Sequence, residues 1–217
     1  MDSRYFSNQR QEVAAFLPSL ADGARVIDIG CGEGAFRANL KTSTEYWGVE
    51  PEAGAARIAE KNLYKVLVGA YSEVSECIPD NYFDVVICAD VIEHMSDPEA
   101  FLYSIKTKLR PGGFIVGSIP NLRYISALYE ILVKKDFKYK DDGIMDRTHL
   151  RFFTRKSFKY TINSCGYIFE EYAGINQFRY RSKSIKRLAI GVVGMFFIAI
   201  FGDDSKYMQY AFRIKPK

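Results

Sequence analysis

The sequence is poor in the residues that most often carry crosslinks or proton transfer. It contains only two histidines, His94 and His149, and one tryptophan in 217 residues. Its four cysteines are Cys31, Cys77, Cys88 and Cys165. None of them forms a C-x-x-C pair, so neither a zinc knuckle nor a disulfide framework is indicated. We expect reduced core thiols, which fits the cytoplasm.

An excess of one charge and a long apolar run are also missing. Thirty Lys and Arg stand against 26 Asp and Glu, a formal net charge of +4, which does not by itself indicate a nucleic-acid partner. The segment 1–20 is polar and charged where a signal peptide needs an apolar core, so we predict no export signal. The apolar run 188–201 is shorter than the roughly 20 residues of a membrane span.

What the sequence does contain is an alternation of two patterns. Short apolar, β-branched runs typical of buried strands occur at 25–30, 45–50, 64–69, 83–89 and 112–119. A sixth strand is predicted at 166–174, and the alternation of apolar and polar residues at 206–215 predicts a last, edge-adjacent strand. Helical spacing occurs at 34–41, 51–61, 72–77 and 97–109, the last with Ser96 or Asp97 as N-cap and Pro111 to end it. The alternation predicts a doubly wound α/β fold, a mostly parallel seven-stranded sheet with helices on both faces. We expect one domain over 1–217.

A glycine-rich turn follows the first predicted strand. In "VIDIGCGEGAF", Gly30, Gly32 and Gly34 let the backbone turn sharply beside a helix N-terminus, which suits a nucleotide-like cofactor. Glu50, at the end of the second strand, can accept hydrogen bonds from both hydroxyls of a ribose. Since Gly30, Gly32 and Ala35 also satisfy the G-x-G-x-x-G/A dinucleotide pattern, an NAD enzyme stays open.

Four blocks together carry a family resemblance. "VIDIGCGEG", "GVEPE", "FDVVICADVIEHMSDPEAFL" and "LRPGGFIVGSIPN" resemble the successive motifs of class I S-adenosylmethionine-dependent methyltransferases, which have a Rossmann-like fold, over about residues 20–175. The resemblance implies S-adenosylmethionine as cofactor. It assigns the methionine part to Asp28, Gly30 and Gly32, the ribose to Glu50, the adenine to Ala70 and Tyr71, and the surroundings of the transferred methyl to Asp90 and Val91.

The two histidines follow separate predicted strands. Asp90-x-x-Glu93-His94 with the distant His149 is similar to the Glu-x-x-Glu-His…His set of plant small-RNA 2′-O-methyltransferases and ubiquinone-pathway O-methyltransferases, in which that set holds a divalent metal. Asp90 replaces a glutamate here. Two imidazoles and a carboxylate suit Zn²⁺, Mn²⁺, Fe²⁺ or Co²⁺ better than Mg²⁺.

Three interpretations of this set stay open. In the first, Glu93, His94 and His149 bind a divalent metal. In the second, His149 is a metal-free general base, oriented by His94 or Asp146. In the third, Glu93 caps a helix or pairs with an arginine, and His149 only packs beside Phe152 and Phe153.

The acceptor is expected at an insertion over 120–154. Its sequence predicts an amphipathic helix and then an aromatic-rich loop, which we interpret as an acceptor lid. Its aromatic candidates for stacking on the acceptor are Tyr124, Tyr129, Phe137, Tyr139, Phe152 and Phe153. The block "GIMDRTHLRFFTRKSFKYTINSCGY" resembles a bacterial branch of O-antigen and surface-glycan biosynthesis, which implies O-methylation of a sugar hydroxyl. A catalytically silent S-adenosylmethionine-binding module and an RNA 2′-O-methyltransferase are the alternatives, and the second would need a basic groove.

The segment 179–202 combines five cations, from Arg179 to Arg187, with the apolar run that follows them. One interpretation is a helix buried in the core or at a dimer interface. The other is peripheral attachment of a cytoplasmic enzyme to anionic lipid, because basic residues beside an apolar helix favour that surface.

Overall fold

The computed structural model describes residues 8–40, 43–178, 194 and 196–217. Within them the strands are β1 (Ala24–Ile29), β2 (Thr44–Glu50), β3 (Lys65–Val68), β4 (Phe83–Ala89), β5 (Leu109–Pro120), β6 (Tyr167–Gln177) and β7 (Tyr207–Pro216). The α-helices span Gln11–Ala14, Ala53–Ala59, Tyr71–Val74, Pro98–Lys108, Ile125–Leu128 and Arg155–Ser164. Short 3₁₀ helices cover Ala35–Asn39, Ser75–Cys77, Ile92–His94 and Asp203–Lys206, and a π turn covers Tyr129–Val133.

The strands form one sheet in the order β3-β2-β1-β4-β5-β7-β6. The pairs from β3 to β5 are parallel, whereas β7 runs antiparallel to both β5 and β6. The prediction of a doubly wound, mostly parallel seven-stranded sheet is confirmed. Because the strand order reverses between β1 and β4, a crevice opens there at the carboxyl ends of the strands, where ligands of such folds bind.

Helices cover both faces of the sheet. On one face Phe101, Leu102 and Ile105 of the Pro98–Lys108 helix pack with Phe158 and Ile162 of the Arg155–Ser164 helix. The other face packs around Val13, Phe36 and Ala59. Burial on two faces explains why the central strands, β4 above all, are continuous apolar runs without polar alternation.

The predicted helix boundaries are largely confirmed. Asp97 caps the Pro98–Lys108 helix by accepting a hydrogen bond from the Ala100 amide at 2.9 Å, and Pro98 occupies its first turn. The helix ends at Lys108 and β5 begins at the next residue, earlier than Pro111 suggested. The helix predicted over 34–41 is only a 3₁₀ helix, Ala35–Asn39, and Gly34 before it supplies no capping side chain.

Two further predictions have mixed outcomes. All four cysteines are free thiols, but only three are buried; Cys77 is exposed, so a core role for it is wrong. The insertion forms the predicted helix at Ile125–Leu128, continues through the π turn and then becomes a loop.

Of the segment 179–202, positions 179–193 and 195 lie outside the described residues. Residues 194 and 196–201 are helical, and the side chains of Phe196 and Ile200 are exposed.

Candidate functional site

The glycine turn after β1 has the backbone geometry that its sequence predicts. Gly30, Gly32 and Gly34 all have positive φ angles, of 72°, 54° and 78°, where L-residues are strained. The Gly30 amide donates to the Val49 carbonyl at 2.8 Å. A Cβ at Gly30 would lie 3.0 Å from a methyl group of Val91, so the turn and the segment after β4 are in close contact.

Glu50 holds this turn from the end of β2. One carboxylate oxygen accepts the Gly32 amide at 2.8 Å, and the other accepts the Glu52 amide at 2.9 Å. Burial raises the pKa of Glu50 above its usual value. Each oxygen keeps a free lone pair, so the carboxylate can also accept hydrogen bonds from a ribose. Its contact with Gly32 was not foreseen from the sequence.

Asp28 lies buried on β1 and has a partner that the sequence analysis missed. The Tyr46 hydroxyl donates to Asp28 at 2.9 Å. Burial raises the pKa of Asp28 to about 7, with the Tyr46 hydrogen bond opposing the rise and the Glu50 charge adding to it. The sequence did contain a hint of this contact. Tyr46 and Glu50 are separated by an even number of residues on β2, so their side chains lie on the same face of the strand.

The side chains that follow β3 are already engaged within the protein, although the resemblance places adenine beside them. Tyr71 is buried, with its ring edge-on to Phe101 at 4.9 Å and its hydroxyl 2.8 Å from Ser104 Oγ. The Ala70 amide donates to the Glu73 carboxylate at 2.8 Å. An adenine contact by Ala70 and Tyr71 stays a prediction, and it would involve the backbone more than the tyrosine ring.

The two histidines belong to one cluster. Glu93 and His94 lie in the 3₁₀ helix after β4, and His149 lies in the loop that ends the insertion. The two imidazole rings are 4.8 Å apart, edge to face. One potential ligand atom from each of Glu93, His94 and His149 lies within 4.8 Å of the others, and Glu93 is 1% exposed.

Backbone carbonyls orient both imidazoles. His94 Nδ1 lies 3.1 Å from the Thr148 carbonyl, and His149 Nδ1 lies 3.1 Å from the Ile144 carbonyl. These contacts favour a proton on each Nδ1 and leave each Nε2 as a free acceptor, the arrangement found in histidine metal ligands. The Glu93 carbonyl accepts the amides of Leu150 and Arg151, both at 2.9 Å, which joins the two loops.

The carboxylate of Glu93 lacks a hydrogen-bond partner on either oxygen among the described residues. Burial, and then the charge of Asp90, raises the pKa of Glu93 well above its usual range. Burial lowers the pKa of His149. Glu93 Oε1 and His149 Nε2 are 4.0 Å apart, too far for a hydrogen bond. Within the described part of the chain, Glu93 neither caps a helix nor pairs with an arginine, which contradicts that interpretation there.

Asp146 does not orient the ring of His149. Its Oδ1 accepts the amide of Thr148 at 2.8 Å and the hydroxyl of the same residue at 2.7 Å. The Ile144 carbonyl takes the place proposed for this carboxylate. The prediction of Asp146 as an orienting group is wrong because its short side chain closes a local turn.

The carboxylate of Asp90 is likewise occupied. It accepts from Arg10 at 2.8 Å, from Ser118 at 2.6 Å and from Gln209. Asp90 is not among the three residues of the Glu93–His94–His149 cluster. Val91 is buried against Gly30, and the places of Asp90 and Val91 beside the transferred methyl stay predictions.

Half of the six aromatic residues proposed for the acceptor lie in a row beside the cluster. Phe152 is 6.2 Å from His149, Phe137 is 5.4 Å from Phe152, and Tyr139 is 5.5 Å from Phe137. Phe137 and Tyr139 are exposed. Of the other three, Tyr124 packs against the cluster of Ala127, Ile144 and Met145, and Phe153 is in the core. Tyr129 is exposed, with its ring 6.4 Å from that of Phe197.

Comparison with known proteins decides what this site belongs to. Residues 1–167, more than half of the chain, match the family described as a methyltransferase domain. The chain belongs to that family. The predicted S-adenosylmethionine-dependent methyltransferase is confirmed at the level of the family, and an NAD enzyme is excluded.

Curated relatives of the methyltransferase include ubiquinone biosynthesis O-methyltransferases. The one from Alkalilimnicola ehrlichii is 28% identical over 117 residues, which is 51% of this chain and 47% of the relative. One from a Bradyrhizobium species is 32% identical over 48% of this chain and 43% of the relative. The matched region thus spans about half the length of these relatives. The predicted similarity to this group is confirmed.

Solved structures support the fold. A SAM-dependent methyltransferase from Archaeoglobus fulgidus superposes with a TM-score of 0.66 at 20% identity, covering 98% of this chain and 97% of the other. Phosphoethanolamine N-methyltransferase 2 from Haemonchus contortus, solved in complex with S-adenosyl-L-methionine, gives a TM-score of 0.62 at 17% identity, over 96% of this chain and 53% of that one.

Proposed function

We propose that the methyltransferase transfers the methyl group of S-adenosylmethionine to a hydroxyl oxygen. The observation that carries this proposal is the cluster of buried Glu93, half-buried His94 and buried His149, one loop away from the glycine turn. A hydroxyl acceptor must lose a proton of high pKa during transfer, and this cluster is a source of a base or of a metal that favours the loss. The O-methyltransferase names of the curated relatives support an oxygen acceptor.

The cluster also fits a divalent metal ion. Ligands about 2.1 Å from one ion lie at most about 4.2 Å apart, so the 4.8 Å cluster needs only a small contraction. Two Nε2 acceptors and a buried carboxylate that has no hydrogen-bond partner within the described ranges are a donor set for Zn²⁺, Mn²⁺, Fe²⁺ or Co²⁺. Glu93, His94 and His149 would hold the ion. When bound, it would supply a positive charge that stabilises an acceptor oxyanion.

In the absence of metal, His149 is the candidate general base. Its lowered pKa keeps the imidazole neutral at neutral pH, and the Ile144 carbonyl leaves Nε2 free to accept a proton. The metal interpretation and the base interpretation differ in whether Glu93 must carry a charge. A ligand must be a carboxylate, whereas a metal-free base needs no charge at that position.

For the acceptor we propose a sugar hydroxyl. Phe152 lies beside His149, and the exposed rings of Phe137 and Tyr139 continue the row from it, offering apolar faces of the kind on which sugar rings pack. The resemblance of 143–167 to surface-glycan enzymes favours the same class. A phenolic acceptor, as suggested by the curated relatives, is the rival. Radiolabelled methyl transfer to nucleotide-activated sugars and to catechols, tested side by side, separates the two; labelling of catechols alone would contradict the sugar proposal.

His149→Ala tests the catalytic role of the cluster. We expect nearly unchanged S-adenosylmethionine affinity and a turnover lowered by about 10² or more. Tyr160→Ala removes a 77% exposed aromatic outside the cluster and serves as the control. Turnover of His149→Ala near that of the control would leave His149 structural. Cofactor binding without methyl transfer to any acceptor would support the silent binding module.

We further propose peripheral contact with anionic lipid through 179–202. Phe196 and Ile200 are exposed, and the sequence places five cations shortly before them. Among the described residues, no helix has the length and hydropathy needed to cross a bilayer. Sedimentation with anionic vesicles should be lost on reversing the charges of Arg181, Lys183 and Lys186. Failure of the parent protein to sediment would contradict the proposal.

A further inference from the structure

Asp90 stands where the related metal-binding pattern has its first glutamate, yet other partners already occupy its carboxylate. Arg10 Nη1 donates to Asp90 Oδ2 at 2.8 Å, and Gln209 donates to the same oxygen. Ser118 Oγ donates to Oδ1 at 2.6 Å. With three donors on its two oxygens, this side chain is bound by protein groups and not directed to an ion.

These contacts belong to a wider network across the ligand-bearing edge of the sheet. Arg10 Nη2 also donates to Ser118 Oγ at 3.0 Å, so the guanidinium, hydroxyl and carboxylate close a ring. Asn176 donates to Gln209 at 2.6 Å. The Arg10 and Asp90 side chains are only 16% and 19% exposed. Charged hydrogen bonds at such partly buried positions are stronger and better fixed than those at the surface.

The conformation of Asp90 governs the loop that follows it. Its φ is +56°, in the left-handed region, and its amide donates to the Ser118 carbonyl at 3.1 Å. Val91 comes next and contacts the glycine turn at Gly30. Glu93 then follows in the 3₁₀ helix. A change at Asp90 would therefore move both the wall of the cofactor turn and a member of the metal cluster.

Arg10 connects this loop to the N-terminal segment. The neighbouring Gln9 carbonyl accepts from Asn39 at 2.5 Å, at the end of the 3₁₀ helix that follows the glycine turn. The segment is thus held both to the β4 loop and to the element after the glycine turn. The Gln9 carbonyl and the Arg10 side chain therefore link two separate parts of the cofactor crevice.

We propose that Arg10 and Asp90 are positioning residues. Their ion pair holds the loop after β4 so that Val91 lies against the glycine turn and Glu93 and His94 lie close to His149. The statement about the metal cluster rests on the proposed function, whereas the statement about the cofactor does not.

The test uses two titrations of the full chain. S-adenosylmethionine is titrated by calorimetry into metal-stripped protein, and Co²⁺ is titrated separately with its absorption spectrum as the readout. The variants are Arg10→Gln, Asp90→Asn and the double variant. Glu12→Gln is the matched control, since it removes the other carboxylate of Arg10, at 2.8 Å, and leaves Asp90 in place.

Each single variant should weaken S-adenosylmethionine binding by about tenfold and Co²⁺ binding by about tenfold, the lower end of the effect of supporting residues on metal sites. The double variant should be no weaker than the worse single variant, because one ion pair is broken in all three. Glu12→Gln should stay within about twofold of the parent. Arg10→Lys, which keeps the charge, should recover part of the cofactor affinity, which loss of folding would not allow.

The alternatives give different results. If Asp90→Asn weakens binding and Arg10→Gln does not, Asp90 acts directly on a ligand and the proposal is overturned. Independent, multiplying effects of the two substitutions would overturn it too, as would unchanged affinities. If the parent binds no Co²⁺, the metal function fails. The calorimetric comparison of the two single variants with the double variant then decides whether the ion pair positions the cofactor turn.

Discussion

Replacing Glu93 with glutamine separates the metal interpretation from the metal-free one. The substitution keeps the size of a side chain that is 1% exposed and removes its charge, so packing changes little. Loss of groups that only support a metal ligand costs about 10- to 100-fold in affinity. Loss of the sole anionic ligand of the Glu93–His94–His149 cluster should therefore cost at least about 100-fold.

The loss of metal affinity can be measured as a change in the free energy of unfolding. At a free metal concentration about 100 times the parent's Kd, binding raises the free energy of unfolding by about 2.7 kcal/mol. A variant bound 100-fold more weakly gains only about 0.4 kcal/mol at that concentration. Without metal, Glu93→Gln should be at least as stable as the parent, because an amide has no charge to desolvate.

The assay is urea unfolding with and without Zn²⁺ or Mn²⁺. Glu99→Gln, which removes an exposed carboxylate on the next helix, is the control and should keep the full gain. An equal gain for parent and Glu93→Gln would refute the assignment of Glu93 as a ligand. Absence of any gain in the parent would leave the metal-free base as the remaining catalytic interpretation.

Three other substitutions test the cofactor half of the crevice. Glu50→Ala should weaken S-adenosylmethionine binding by about 1–3 kcal/mol through loss of a charged hydrogen-bond acceptor; unchanged calorimetric affinity would contradict its role at the ribose. Gly30→Ala should lower the unfolding free energy in urea by about 1–3 kcal/mol, because φ is +72° and Val91 is in the way; a loss under about 0.5 kcal/mol would contradict the strain. Burial raises the pKa of Asp28 from 3.8 to about 7, and a carboxyl that binds its proton more tightly when folded makes stability fall as pH rises between those values. Asp28→Asn should flatten that fall in unfolding measured from about pH 4 to pH 7; an unchanged slope would place the cause elsewhere.

Much of the cofactor half was predictable because its signals are local. The positive φ angles of the glycine turn follow from glycine placed directly after a buried strand. Glu50 was identified from its place at the end of β2. What the pattern could not show was that Glu50 also accepts the Gly32 amide, or that Tyr46 donates to Asp28, because both contacts join β2 to a segment far away in the sequence, β1 or the turn after it.

The acceptor half was predictable only as a set of candidates. The sequence placed His94 and His149 after strands, hence at the same edge of the sheet, but left their separation open. Asp146 was a reasonable orienting group by proximity in the chain, and it failed because Thr148 satisfies its carboxylate locally. Of the six aromatic candidates, Phe153 lies in the core and Tyr124 packs against a small buried cluster, whereas Tyr129 is exposed, since spacing alone does not separate a core ring from an exposed one.

By itself the sequence determined the α/β class, the alternation of strands and helices, and the cofactor turn, because hydrophobic periodicity and glycine conformation act over a few neighbouring residues. The tertiary structure alone decided that Glu93, His94 and His149 meet, that backbone carbonyls orient the imidazoles, and that Arg10 binds Asp90. These contacts join segments tens of residues apart. Burial and electrostatics there depend on how the whole chain packs, which no local pattern specifies.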